Sequence, residues 1–272
     1  MKKLFVSAFA LLAVGFTYAQ ANEDVTTQVG NNNDAVINQV GYMNSNDLLQ
    51  YGNRNTATVD QDGAFNANTG LSLGNRNSID VDQVGLANEN NVEQYGNRND
   101  ATTSQNGILN YTDQLQVGDR NMASSTQDGI FNEVSQEQYG DRNDATATQD
   151  GVFNYAVQWQ VGNDNSAMAS QTGDDNQSYQ WQIGDGNSAD HMQDGTSNYS
   201  SSWQNGNDNE TLGLQIGDNN LLYQSQDGDR NYADDYQVGN GNMADISQTG
   251  QDHFHYGTQI GNNNSMTVTQ TN

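Results

Sequence analysis

"QYGNRNDATTSQNGILN", Gln94 to Asn110, contains the shape Q-x-G-x-x-N twice, at Gln94-Tyr95-Gly96 and at Gln105-Asn106-Gly107, eleven residues apart. Extending that step in both directions decides the architecture. From Gln28 to Gln270, 22 of the 23 positions spaced by eleven are Gln, with Ser72 the exception. Two residues after each Gln position stands Gly, 22 times from Gly30 to Gly261, and only Asn272 departs. Five residues after it, 21 of 22 positions from Asn33 to Asn264 are Asn, with His253 the exception. No insertion or deletion breaks the register. A repeat this strict governs the fold and must be read before any local signal.

Gly with Asn marks a tight turn, because Gly tolerates positive φ and Asn bonds nearby backbone. The intervening residues have the length of a short strand and alternate in type. Within "NDATATQ", Asn143, Ala145, Ala147 and Gln149 share one face, and Asp144, Thr146 and Thr148 the other. The near-invariant face is expected inside, because stacked layers must repeat one shape. Acids such as Asp60, Asp80, Asp82, Glu89, Glu93, Asp100, Glu133 and Glu137 fall on the outer parity. Two strands and two turns then make one rung of 22 residues. The predicted fold is all-β: a β-solenoid of stacked strand-turn-strand rungs with amyloid-like cross-β geometry. It has about eleven rungs and, at ~4.8 Å per rung, a height of about 50 Å.

Buried amides are costly unless bonded. Gln and Asn are expected to bond to the identical amide one rung above and below, each bond netting ~0.5–1.5 kcal/mol. On the central rungs the predicted structural ladder is Gln94, Gly96, Asn99, Gln105, Gly107, Asn110, Gln116, Gly118, Asn121, Gln127, Gly129, Asn132, Gln138, Gly140 and Asn143. A one-residue slip would bury the acids, so register is strongly specified.

Composition agrees with an ordered but unusual chain. Only 33% of the 272 residues are hydrophobic, which with high negative charge is the ordinary sign of disorder. The absence of Pro and the strict ordering of polarity argue otherwise. Residues 1–21, "MKKLFVSAFALLAVGFTYAQA", read as a secretory signal peptide: two Lys, an apolar run from Leu4 to Phe16, then small residues. Cleavage is expected after Ala19 or Ala21, leaving 22–272 as the solenoid. Losing Lys2 and Lys3 leaves six Arg against 34 acids, 6 − 34 = −28. Such a surface repels nucleic acid and anionic membrane as a whole and keeps single chains apart. Without Cys there is no disulfide frame.

The two turns of a rung differ. Arg54, Arg76, Arg98, Arg120 and Arg142 recur every 22 residues in G-[ND]-R-N turns, with Arg230 four periods on. They should stack on one edge, either pairing with Asp119 and Asp141 or gripping an anionic matrix polymer. The opposite edge should stack Phe65, Leu109, Phe131 and Phe153. Trp159, Trp181 and Trp203 lie 22 apart on the outward parity, near Tyr155, Tyr179 and Tyr199. These columns either stiffen neighbouring rungs or make surface contacts, since exposed apolar stripes often mark interfaces.

Nothing argues for an enzyme. His191, His253 and His255 form no recognisable ligand set, although His253 and His255 allow a minor metal reading. Asp62, Asp128, Asp150, Asp194 and Asp227 recur in "QDG", but the spacing differs from that of calcium-binding nonapeptide repeats. Gly-rich phosphate loops need a following helix, and no helical period exists. No cofactor is expected.

The repeat resembles the curlin repeat, S-x5-Q-x-G-x-G-N-x-A-x3-Q. "QIGDGNSADHMQ" (Gln182–Gln193) and "QVGNGNMADISQ" (Gln237–Gln248) match it from Gln onward at every specified position. Most other units keep Q-x-G-x-x-N, with Ala at 35, 57, 101, 123, 145, 167 and 233. The resemblance implies a subunit of curli, the extracellular functional amyloid of bacterial biofilms. It implies export through an outer-membrane secretion pore, polymerisation at the cell surface with a nucleator subunit, and roles in adhesion and matrix building, with matrix polysaccharide a further partner. This chain departs from the pattern in placing Asn where the motif opens with Ser. It has about twice the rungs of a five-repeat curlin, and little sequence stands before Gln28 for a separate export segment.

Neither end carries a recognisable cap, so head-to-tail addition of copies is expected to continue the columns as an open heterologous contact. The charge should act as a brake, and Gly and Asp in the turns as gatekeepers. The competing readings are the nucleator subunit rather than the major one, and a monomeric β-solenoid surface protein that binds glycan or ice. Thr56/Thr58 and Thr146/Thr148 hint at an ice-binding T-x-T array, but it is not sustained.

Overall fold

Every eleventh residue from Glu23 begins a strand. The computed structural model describes residues 21–272, so the signal-peptide reading lies outside the described residues except at Ala21. Twenty-three strands run from β1 (Glu23–Asn31) and β2 (Asp34–Tyr42) to β22 (Phe254–Ile260) and β23 (Ser265–Thr271). Odd-numbered strands form a 12-stranded parallel sheet and even-numbered strands an 11-stranded one. Each strand pairs in register with the strand 22 residues on, so that Gln94 lies against Gln116 and Gln105 against Gln127. The fold is the β-solenoid that the repeat predicts, with about eleven turns of 22 residues.

Burial alternates along each strand as the pleat requires. In Asp100–Ile108, Ala101, Thr103 and Gln105 are buried while Asp100, Thr102 and Asn106 are exposed. The apolar part of the interior is thin. Leu48, Val59, Ile79, Val81 and Val92 cluster toward the N-terminal end, and Val134, Ala147, Ala156 and Ala169 form a second group. The rest is largely Gln, Asn, Ser and Thr.

The turns follow the same period. Gly at the second position after Gln has φ between 103° and 141°, and the residue two further on is left-handed, with φ of 53–63° when it is not Gly. That left-handed position holds every Arg and Phe of the two columns, and Gly only at Gly186 and Gly241. Turn backbones are also bonded rung to rung, as in Gly118 N–H to Tyr95 O at 2.9 Å and Arg120 N–H to Asn97 O at 2.9 Å.

One acid departs from the outward rule. Asp235 is wholly buried, where its carboxylate accepts from Gln224 Nε2 at 2.9 Å and meets His255 Nε2 at 3.0 Å. Counting parity back from Gln237, two residues on in the same strand, places it inside. Burial pushes its carboxyl up, opposed by the Gln224 and His255 bonds.

Candidate functional site: amide ladders, turn edges and open ends

On the central rungs each ladder Gln donates in two directions. Gln94 Nε2 bonds Gln116 Oε1 at 3.0 Å and, across the interior, the Ser78 carbonyl at 2.8 Å. Gln116 to Gln138, Gln105 to Gln127 and Gln127 to Gln149 repeat the axial bond at 3.0 Å. Every such bond runs from the lower-numbered rung to the higher, so the ladders are polar.

The Asn positions add backbone partners to the expected amide-to-amide pairing. Asn99 Oδ1 accepts the backbone N–H of Asn121 at 3.0 Å, and its Nδ2 donates to the Gly118 carbonyl at 2.9 Å. Asn110, Asn121, Asn132 and Asn143 donate likewise to Gly129, Gly140, Gly151 and Gly162. Axial Asn-to-Asn bonds recur beyond Asn143, as from Asn165 Nδ2 to Asn143 Oδ1 and from Asn209 Nδ2 to Asn187 Oδ1 at 3.1 Å, and they run from the higher rung to the lower. The Asn stem is one carbon shorter than that of Gln and sits beside the turn, so peptide groups lie within its reach. This answers what Gly and Asn do together. A Cβ added to Gly96 would run into the Gly118 carbonyl, the same oxygen that Asn99 holds.

A second amide ladder went unread in the sequence. Gln114, Gln136, Gln158 and Gln180 are buried and bonded in series at 2.8–2.9 Å. The signal is there as Q-x-Q in "QLQ", "QEQ" and "QWQ".

Ser72 shows what a ladder residue contributes. The Gln column breaks there, and both Ser72 Oγ and Gln94 Oε1 are buried without a partner. Restoring the amide with Ser72→Gln is expected to stabilise the column by about 1–2 kcal/mol by satisfying these groups and Gln50. Urea unfolding checks this, and an unchanged or lower midpoint would count against the ladder as a stabilising element.

At the turn edges, Arg54, Arg76, Arg98 and Arg120 are exposed and make no ion pair among the described residues. The expected pairing with Asp119 and Asp141 is not observed, because those carboxylates accept backbone N–H bonds from Asn97 and Asp119 at 2.8 Å. Arg142 instead pairs with Asp164 one rung on at 2.6 Å, and Arg230 with Asp252 at 2.7 Å. The Arg142 hydrogen bonds hold the Asp164 carboxyl below its usual range.

On the opposite edge, Phe131 and Phe153 stack at 5.0 Å, and both are exposed along with Phe65 and Leu109. On the 12-stranded face, Trp181 and Trp203 lie 6.2 Å apart, and Trp159 lines a shallow groove with them beside Glu137 and Val157. Tyr179 stacks on Trp181 at 5.4 Å. The structure therefore separates the candidate residues into an interior ladder, two edges and one aromatic face.

His191 and His255 both point inward, and His191 Nδ1 meets Ser178 Oγ at 3.0 Å. Among the described residues no group of three His, Asp or Glu side chains could hold a metal, and no helix is long and apolar enough to cross a membrane.

Among the described residues, β1 and β23 each have a single neighbour in the 12-stranded sheet, as β2 and β22 have in the other. Gln28 and Gln39 donate upward to Gln50 and Gln61, while Gln259 and Gln270 donate only to backbone carbonyls. One end thus presents amide acceptors and the other spare amide donors.

No curated protein matches the chain. The curlin associated repeat family matches it four times, over residues 30–63, 140–173, 162–190 and 217–250. Two of those stretches contain the turns with Gly at the left-handed position, Gly186 and Gly241. The remaining turns share the fold while carrying Arg, Phe, Asp or other residues there. The chain therefore carries the curlin associated repeat in four stretches of a solenoid whose register is continuous between them.

Proposed function

We propose that this chain is a secreted structural subunit that stacks end to end into an extracellular amyloid-type fibre serving adhesion and biofilm matrix. Export through an outer-membrane pore, a nucleator subunit and contact with matrix polysaccharide belong to the same reading. The observation that carries it is the complementarity of the two ends. Unpaired strand edges are templates for further pairing. Here the polar Gln ladders give one end acceptors and the other donors, so a second copy docks in one direction only. A contact of that kind does not close and grows a filament.

The test is growth of the mature chain followed by thioflavin fluorescence and electron microscopy. Fibres with the two cross-β spacings are expected, and nucleation should speed up at least several-fold between low and physiological salt. At a net −28, screening shortens the repulsion from about 30 Å at 0.01 M to about 8 Å at 0.15 M. Slower growth at higher salt would remove the electrostatic brake. A lasting monomer would favour the glycan-binding reading, for which the Trp and Tyr face is the candidate surface.

A further inference from the structure

The Arg edge is not uniformly basic. At its tip, Asn53-Arg54, Asn75-Arg76 and Asn97-Arg98 each carry one positive charge, while Asp119-Arg120 and Asp141-Arg142 are neutral. Asn163-Asp164, Asp185-Gly186 and Asn207-Asp208 then each carry one negative charge. Because the register never slips, these eight turns lie on consecutive rungs of one edge. The charges invert about the point midway between the rungs of Arg120 and Arg142. An edge of that kind is complementary to itself turned end for end.

The geometry points to a two-fold interface along this edge with a second copy of the chain, the two columns running antiparallel. Arg54, Arg76 and Arg98 then face the partner's Asp208, the partner's Asp185 and the partner's Asp164. At the centre, Arg120 faces the partner's Asp141, and Arg142 the partner's Asp119. Both halves of the contact are made twice, as an isologous interface requires. The Arg and the Asp side chains at positions 164, 185 and 208 are exposed, and Arg54, Arg76, Arg98 and Arg120 have no carboxylate of their own; Arg142 and Asp164, paired with each other in the single chain, exchange partners on docking. Asp100 and Asp144 start strands leaving this edge, and Glu210 reinforces the acidic half.

A bound polyanion fits the edge less well. It would find three basic rungs, two neutral ones and then three acidic ones, on a chain of net −26. The lateral contact is also separate from the end-to-end one and does not require it. Individual exposed ion pairs are weak, so the contact depends on their number. It should be strongest at intermediate ionic strength, because the long-range repulsion is screened near 0.1 M while direct pairs survive until about 1 M.

Sedimentation velocity on freshly desalted protein, before fibres form, tests the proposal. A concentration-dependent dimer is expected near 0.1 M salt, reduced both at 0.01 M and at 1 M. The triple variants R54E/R76E/R98E and D164R/D185R/D208R should each weaken self-association at least tenfold, and mixing the two should restore it as a heterodimer. Asp and Arg already occupy the left-handed turn position shared by residues 54, 76, 98, 164 and 208, so those changes should fold; Asp185 stands one residue earlier, where it accepts the Asn163 N–H at 2.7 Å, and circular dichroism on the D185R-containing variant checks that its loss is tolerated. Polyanion binding would leave the D164R/D185R/D208R variant unimpaired or improved for an added polyuronate, with no rescue on mixing. That result, or a wild-type chain that stays monomeric across the salt series, overturns the two-fold interface.

Discussion

Replacing Gly118 with alanine is expected to destabilise the column by about 3–5 kcal/mol, more than any single loss from its interior. Two costs add. The backbone at Gly118 has φ of 128°, a region a side-chain-bearing residue adopts only under strain of about 1–3 kcal/mol. The new Cβ would also collide with the Gly140 carbonyl, with Asp141 Oδ1 close behind. That carbonyl cannot step aside cheaply, because Asn121 holds it at 2.8 Å and the turn backbones are bonded rung to rung. The rungs must part locally, and the ladder bond Gln116–Gln138 beside the turn weakens with them. Chemical denaturation measures the loss. The comparison is Arg120→Gly in the same turn, where φ is 63° and Gly relieves strain; it should be neutral or stabilising. Equal effects at the two positions would show that stacking distance is not what demands Gly118.

The second large effect is an acid weakness centred on His191. Its imidazole is wholly buried, with Nδ1 bonded to Ser178 and Nε2 without a partner among the described residues. Burial lowers its pKa from 6.5 to about 3. A folded pKa below the unfolded one means that the unfolded chain binds the extra proton between these values. The stability is therefore complete above pH 6.5 and lost as pH falls toward 3, with a full span of 6.5 − 3 = 3.5 units, or about 5 kcal/mol. Near pH 4 about 3 kcal/mol of it should be gone. Several carboxylates act in the opposite sense. Asp113, Asp144 and Asp190 are pushed up by burial, so they add stability as pH falls through their folded values. The informative quantity is the difference between the wild type and His191→Val, a residue already present in this interior column as Val59 and Val81. The variant's advantage should grow by about 3 kcal/mol between pH 7 and pH 4. An advantage that stays constant with pH would place the His191 side chain in water.

How much of this was legible depends on what repeated. The Gln, Gly and Asn positions recur without a break, so strand count, register and interior parity could be read directly, and the strands do begin every eleven residues. What recurs in only part of the chain was harder to see. The Gln114–Gln180 ladder occupies one sheet over four rungs, at a position that holds Leu48, Gly70 and Val92 earlier in the same sheet. Bond direction was not legible at all. Gln and Asn share a functional group, yet the Gln amides donate toward the higher rung and the Asn amides, where they pair, toward the lower, with one carbon less of stem also bringing the turn carbonyls within the reach of Asn. The Arg142–Asp164 pair was missed because adjacency in sequence favoured Asp141, whereas the solenoid makes residues 22 apart the nearer neighbours.

The half-period and the full period are not interchangeable, and this bears on how such a gene can change length. Losing or duplicating 22 codons removes or adds one whole storey and leaves every later turn on its own side. Losing eleven also preserves Gln, Gly and Asn, so the chain would still coil. Every downstream Arg would then cross to the side of the Phe turns. Recombination among near-identical segments is thus filtered twice, first for the ability to coil and then, in even multiples alone, for what each side displays.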